Sequence, residues 1–271
     1  MIRFLILASY FELSMYLQVT GKLNQYINMH YSYLAYISMV LSFILALVQL
    51  VVWMKQVKVH SHLRKPSAHL ASFFLLSLPI LVGWTFPSVS LDSQTVAAKG
   101  YHFPLAAGAS AEIQKDEGTT SQYLKPDTSS YFTQSAYTKE MKAAAKKYIN
   151  KQEIDISSEN YMEIMEVIYD YPEEFIGKTI SLTGFVYQDP SQDKQQFLFR
   201  FGIIHCIADS GVYGLLTKGN EVTYPDNTWI KAKGKISLTY HKELKQSLPT
   251  LEVSSFEKVA QPENPYVYRV F

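Results

Sequence analysis

The sequence predicts an α-helical membrane region at the amino terminus, followed by a soluble α+β domain built around a small antiparallel, OB-like β-barrel with preceding helices. Two observations carry the membrane half: no formally charged residue occurs from Tyr31 to Met54, and none from Pro66 to Leu91. Each run reaches the roughly 20 apolar residues that cross a bilayer's hydrocarbon core. A third observation carries the soluble half, because after Gly177 the apolar residues change from helical to alternating spacing. The expected divisions are a transmembrane region over 1–87, an extracellular stalk over 88–135 and an extracellular helix plus β domain over 136–271.

The first span, about Phe4 to Thr20, is short and holds Glu12 near its middle, where an acid costs about 2.5–3.5 kcal/mol on insertion scales. A cleaved signal peptide is the rival reading. The acid inside the apolar stretch and the lack of a small-x-small cleavage site after it argue against removal. The second span, about Tyr31 to Met54, has Tyr31, Tyr33 and Tyr36 at one end and Trp53 at the other, the ring placement of a helix crossing two interfaces. The third, about Leu70 to Phe86, contains Pro79 and Gly83, so a kink is expected there.

Positive residues in short loops are retained on the cytoplasmic side. The loop between the second and third spans carries Lys55, Lys58, Arg64 and Lys65 with no acid, whereas the first loop carries only Lys22. This asymmetry places the amino terminus in the cytoplasm and the carboxyl-terminal domain outside, in a multi-pass cell-membrane protein.

Residues 92–135 are rich in Ala, Ser, Thr and Gly without a sustained period, which predicts a flexible or loosely packed stalk. Helix is predicted over Tyr137 to Lys151, with Tyr137, Met141, Ala144 and Tyr148 on one side. A second helix is expected with Ser157 or Ser158 as cap and Tyr161, Ile164, Met165 and Ile168 as its apolar stripe, ending before Pro172. Five strands are predicted: 179–188, 197–208, 212–218, 229–240 and 250–257. In the first, Ile180, Leu182 and Val186 share a face and Gly184 marks a bulge or bend. In the fourth, Ile230, Ala232, Ile236 and Leu238 oppose Lys231, Lys233 and Lys235, so one face meets a core and the other water. Five short strands in about ninety residues fit an OB-like barrel; a plain five-stranded sheet packed on the preceding helix is the other architecture that fits.

The formal charge of +1 and the lack of a basic stripe give nucleic acid little to hold. The single cysteine, Cys206, excludes an intramolecular disulfide and any Cys-pair zinc framework. No phosphate-cradling glycine loop, HExxH, GxSxG or paired-carboxylate signature is present, so neither an enzyme nor a cofactor is called for. The segment His205-Cys206-Ile207-Ala208-Asp209 offers ligand or metal candidates. In a regular strand, however, His205 and Cys206 point to opposite faces and cannot pair as base and nucleophile. His205 and Asp209 converge only around a turn. The competing reading is a Cys packed as a small apolar side chain and an Asp holding that turn. His60, His62 and His69 lie in or beside the basic loop and read as interfacial residues before metal ligands. Glu12 is an intramembrane polar candidate, either functional or an interhelical assembly contact.

With Glu174-Phe175-Ile176-Gly177-Lys178, Gly184-Phe185-Val186 and Cys206-Ile207-Ala208-Asp209, the chain resembles a bacterial family of uncharacterised proteins named as permease subunits. The resemblance extends over nearly the whole length, including Ile2-Arg3-Phe4-Leu5-Ile6-Leu7-Ala8 and Gly21-Lys22-Leu23. It implies an accessory transport role beside a polytopic permease in the lipid bilayer, with a carboxyl-terminal domain of no assigned activity, and it carries over no catalytic residue. Three functions therefore compete. The first is an accessory permease subunit whose outer domain assists substrate capture, gating or complex stability. The second is an anchored extracellular binding module for a small molecule, metal ion or cell-envelope polymer. The third is a tethered hydrolase using Cys206 or Asp209.

Overall fold

The computed structural model describes residues 1–57, 65–86, 90–100, 134–189, 195–219 and 223–269, and the chain divides into two units, Met1–Ser90 and Leu91–Phe271.

The first unit holds helices α1 (Ile2–Val19), α2 (Ser32–Met54) and α3 (Pro66–Thr85). All three are long and apolar enough to cross a membrane. α2 and α3 carry no charged residue, and side chains such as Leu41, Phe43, Leu75 and Leu78 stay exposed, as on helices whose solvent is lipid. α3 runs continuously through Pro79 and begins four residues before the predicted start, with Pro66 in its first turn, where a missing N–H costs nothing. Within the unit the Tyr10 hydroxyl on α1 donates to the Leu76 carbonyl on α3 at 2.8 Å, and the rings of Phe11 and Phe43 lie 5.1 Å apart.

The second unit begins with α4 (Ser93–Lys99), capped by the Asp92 carboxylate, which accepts from Gln94 and Thr95 N–H. Here the stalk expectation needs correction for its first residues, because Val96 is buried in the domain's core. The rest of the stretch, 101–133, lies outside the described residues. Helix α5 (Gln134–Tyr148) follows, then strand β1 (Glu153–Ile156), helix α6 (Tyr161–Asp170) and strands β2 (Thr179–Gln188), β3 (Gln196–Ile203), β4 (Gly211–Lys218), β5 (Trp229–His241), β6 (Gln246–Lys258) and β7 (Val267–Tyr268). On α5, Met141, Ala144 and Tyr148 are buried as their spacing predicts. On α6 the expected stripe of Tyr161, Ile164, Met165 and Ile168 is fully buried, although Asn160, not a serine, stands at the cap position.

The seven strands form one sheet in the order β1-β2-β5-β6-β4-β3-β7, with β2 also pairing β3. Following the pairings from β2 through β5, β6, β4 and β3 leads back to β2. The change of partner happens at Phe185, which faces Trp229 on β5 and Phe199 on β3. Gly184 makes that bend possible, since a Cβ there would sit 2.8 Å from the Phe199 carbonyl oxygen. The register irregularity falls instead between Lys233 and Gly234 of β5. The sheet is mixed, not purely antiparallel: β1 with β2, β4 with β6, and β3 with β7 run parallel. β5 shows the predicted alternation, with Ile230, Ala232 and Ile236 buried and Lys231, Lys233 and Lys235 exposed.

Helix α6 lies against this sheet through a hydroxyl clasp. Tyr169 donates to the Gly214 carbonyl at 2.6 Å and accepts from the Gly214 N–H at 2.7 Å, while the Tyr161 hydroxyl donates to the Tyr213 carbonyl at 3.3 Å. In the core Phe185 stacks on Phe201 and Phe197 on Phe199, with Phe185 edge-on to Phe199.

Candidate functional site

The predicted strand 197–208 ends early, and the change decides the fate of His205, Cys206 and Asp209. β3 stops at Ile203, and residues Ile207–Asp209 close a 3₁₀ turn with Cys206 as its cap. The Asp209 carboxylate accepts the N–H of His205 at 3.1 Å and of Cys206 at 3.0 Å, and contacts His205 Nδ1 at 2.6 Å. His205 and Asp209 therefore converge around a turn, and the aspartate is engaged in holding that turn. Cys206 is a free, half-buried thiol. Among the described residues no group of three or more His, Cys, Asp or Glu side chains is arranged to hold a metal. His69 is exposed at the start of α3; His60 and His62 lie outside the described residues.

Glu12 is exposed on α1, midway along the helix, and has no hydrogen-bond or ion-pair partner among the described residues. A carboxyl group facing lipid at that depth is costly and is ordinarily met by another helix or a water-filled cavity.

A polar cavity that the sequence did not announce opens in the second unit. Its volume is about 220 Å³, and Ser157, Ser158, Thr183, Arg200 and Lys231 contribute polar groups to its wall together with Asp155. Arg200 sits in the middle of β3 among phenylalanines and is only 2% exposed. Its guanidinium donates from Nε to the Pro265 carbonyl at 3.3 Å and from Nη2 to the carbonyls of Asn264 at 3.0 Å and Tyr266 at 3.2 Å. Nη1 donates to Ser158 Oγ at 2.7 Å. Its carbon also lies 5.6 Å from the Tyr161 ring centre and 5.7 Å from that of Trp229. All of these partners are neutral, and burial pulls the Arg200 pKa below its ordinary value. The signal in the sequence was an arginine inside the otherwise apolar run Phe197-Leu198-Phe199-Arg200-Phe201, in a strand that is buried on both faces.

A second buried polar pair joins the ends of β2 and β5. His241 Nε2 lies 2.7 Å from Asp189 Oδ2, and both side chains are fully enclosed. The Leu244 N–H donates to His241 Nδ1 at 3.3 Å, so the ring proton is on Nε2 and is donated to the aspartate. On α6, burial pushes the Glu166 carboxyl up to about 7. Arg269, with Nη2 3.8 Å away, opposes this, and Asp170, Glu140 and Glu163 reinforce it.

Comparison with known proteins places this architecture. The DUF1980 N-terminal domain matches residues 2–102 and the DUF1980 C-terminal domain matches residues 131–269. A Streptococcus mutans protein named "Putative two-component membrane permease complex subunit" is 59% identical over 271 residues, spanning 100% of both chains. The UPF0703 protein YcgQ of Bacillus subtilis is 36% identical over 291 aligned positions, again spanning 100% of both chains. No solved structure matches. Two domain matches that together run nearly end to end, and two full-length relatives, establish that this chain belongs to the DUF1980 family.

Proposed function

We propose that this protein is a non-enzymatic accessory subunit of a membrane permease, whose three helices dock on a polytopic partner and whose carboxyl-terminal domain assists substrate capture, gating or complex stability from the extracellular side. The observation that carries the reading is Glu12. Its carboxyl group stands exposed midway along an apolar helix with no partner among the described residues of its own chain, and such a group is retained where a second membrane protein meets it. The name of the Streptococcus mutans relative, a subunit of a two-component complex, supports the same conclusion. Three helices with one internal acid offer little to line a polar pathway of their own.

The orientation follows from the basic loop between α2 and α3, which retains the amino terminus inside and, after three crossings, delivers the second unit outside. The pairing circuit through β2, β5, β6, β4 and β3 supports an OB-like barrel for that unit, in which a bent first strand closes the ring.

Purification from gently solubilised membranes tests the proposal. A polytopic protein should co-purify in fixed ratio with the wild type, and Glu12→Gln should weaken that association while the chain remains inserted. A chain that purifies alone as a fully active transporter would overturn the accessory role. An intact complex that has lost transport in Glu12→Gln would move Glu12 from assembly to the transport step itself.

A further inference from the structure

We infer that the cavity beside Arg200 is a binding site for a small oxyanion, a carboxylate or phosphate group that enters between β1, β2 and β5. This goes beyond the accessory role and does not depend on it. Four observations converge on it.

The first is an uncompensated buried cation. Arg200 is sequestered from water, yet it forms no ion pair among the described residues, and every group it touches is a carbonyl, a hydroxyl or a ring face. Taking a guanidinium out of water costs several kcal/mol; the neutral acceptors satisfy its hydrogen bonds and leave its charge unpaired. Glu159 is a carboxylate that acts on it electrostatically, but it is fully solvent-exposed and bonds instead to Ser157.

The second is direction. Nε and both Nη2 hydrogens are spent on carbonyls, and one Nη1 hydrogen goes to Ser158. One Nη1 hydrogen is left, on the edge of the guanidinium that meets the cavity-lining serine. Because Ser158 Oγ accepts from Arg200, its own hydroxyl hydrogen is available to a ligand, and the serine passes the positive character of the guanidinium outward.

The third is the opposite wall. Thr183 and Lys231 are directly paired across β2 and β5 and both line the cavity. Lys231 makes no ion pair among the described residues, although Glu257 is its register partner on β6. The wall thus carries two cations against one carboxylate, Asp155, which is itself engaged with the Ser181 hydroxyl.

The fourth is size. A cavity of about 220 Å³ falls below the roughly 300–1,000 Å³ of pockets that enclose drug-sized ligands, so the occupant is a small molecule or the terminal anionic group of a larger one. The donors, an arginine, a lysine and the hydroxyls of Ser158 and Thr183, are the set that recognises oxyanions by charge-assisted hydrogen bonds.

Calorimetric titration of the full chain in detergent micelles tests the assignment, with sodium succinate and sodium phosphate as probes at matched ionic strength and sodium chloride as the control. Saturable heat with succinate, with phosphate or with both, absent with chloride, supports the site, and the pattern tells which oxyanion chemistry it prefers. Lys231→Gln removes an exposed ammonium and should weaken binding by about three- to fivefold without moving the melting temperature of the unliganded protein. Ser158→Ala should weaken it further, and Arg200→Lys should abolish it. Should Arg200→Lys fail to fold, the two surface variants still decide the matter. No saturable heat from either oxyanion, or heat that is identical in wild type, Lys231→Gln and Ser158→Ala, overturns the assignment.

Discussion

Replacing Glu166 by glutamine should abolish a specific pH dependence of stability. The residue is 8% exposed on α6, and desolvation raises the pKa of its carboxyl group from an ordinary 4.5 to about 7, with Arg269 the opposing influence. A carboxyl whose pKa is raised on folding is bound to a proton more tightly in the native state, so its contribution to stability is complete below about pH 4.5 and is lost as pH rises through about 7. The gap corresponds to about 3 kcal/mol between the two limits. A glutamine amide at this position would reproduce the shape and polarity of the protonated acid at every pH. The Glu166→Gln variant should match the wild type near about pH 4 and exceed it by up to about 3 kcal/mol near about pH 8. Urea unfolding in detergent, followed by the fluorescence of Trp229 in the second unit, measures this; the indoles of Trp53 and Trp84 belong to the apolar helices of the first. Other titrating groups cancel in the difference between the two proteins. A wild-type minus variant difference that stays constant from pH 5 to pH 8 would refute the assignment of a raised pKa to burial, and one that grows in the wild type's favour would mean that Arg269 outweighs desolvation.

Tyr169→Phe should cost about 1–3 kcal/mol, because both the carbonyl and the N–H of buried Gly214 lose the hydroxyl that clasps them; denaturant midpoints at fixed pH report it. Gly214→Ala should prevent the second unit from folding, since a Cβ would fall 1.8 Å from the Leu198 carbonyl oxygen and 2.9 Å from the Phe199 ring, and loss of native tryptophan fluorescence checks this. Cys206 is the chain's single cysteine and is half-buried, so a membrane-impermeant maleimide should modify it in intact cells if the second unit lies outside. Labelling that appears only after lysis would reverse the proposed orientation.

What the sequence made legible is what depends on near neighbours. The charge-free runs ending at Met54 and beginning at Pro66 define α2 and α3 because a bilayer reads composition over about 20 residues and little else. The lysines of β5 alternate with Ile230, Ala232 and Ile236, so that strand announces both its period and its buried face. β1 and β7 were not foreseen. They are four and two residues long, and each joins the sheet by parallel pairing to a strand distant in sequence, as Ile154 does with Ile180 and Val267 with Gly202. Such short runs carry no period of their own. The end of β3 was placed too late because Ile203, Ile204 and Ile207 continue an apolar pattern, while the Asp209 carboxylate turns the backbone by capturing two N–H groups ahead of it.

The candidate sites follow the same division, and the reason is combinatorial. His205, Cys206 and Asp209 draw the eye because they are adjacent in sequence, yet adjacency here produces a capped turn. The Arg200 cavity draws its wall from β1, β2, β3, β5 and the segment that links β1 to α6, together with Pro262, and the carbonyls that steady the guanidinium come from residues 264–266. No window of the sequence contains two of these donors in a recognisable spacing, apart from Ser157 and Ser158. The one local sign was an arginine within the otherwise apolar run of β3, a strand buried on both faces. A buried arginine must be answered either by a carboxylate or by many neutral acceptors, and only the fold reveals that the second arrangement was used. That arrangement steadies the side chain while leaving its charge to act on whatever enters the cavity.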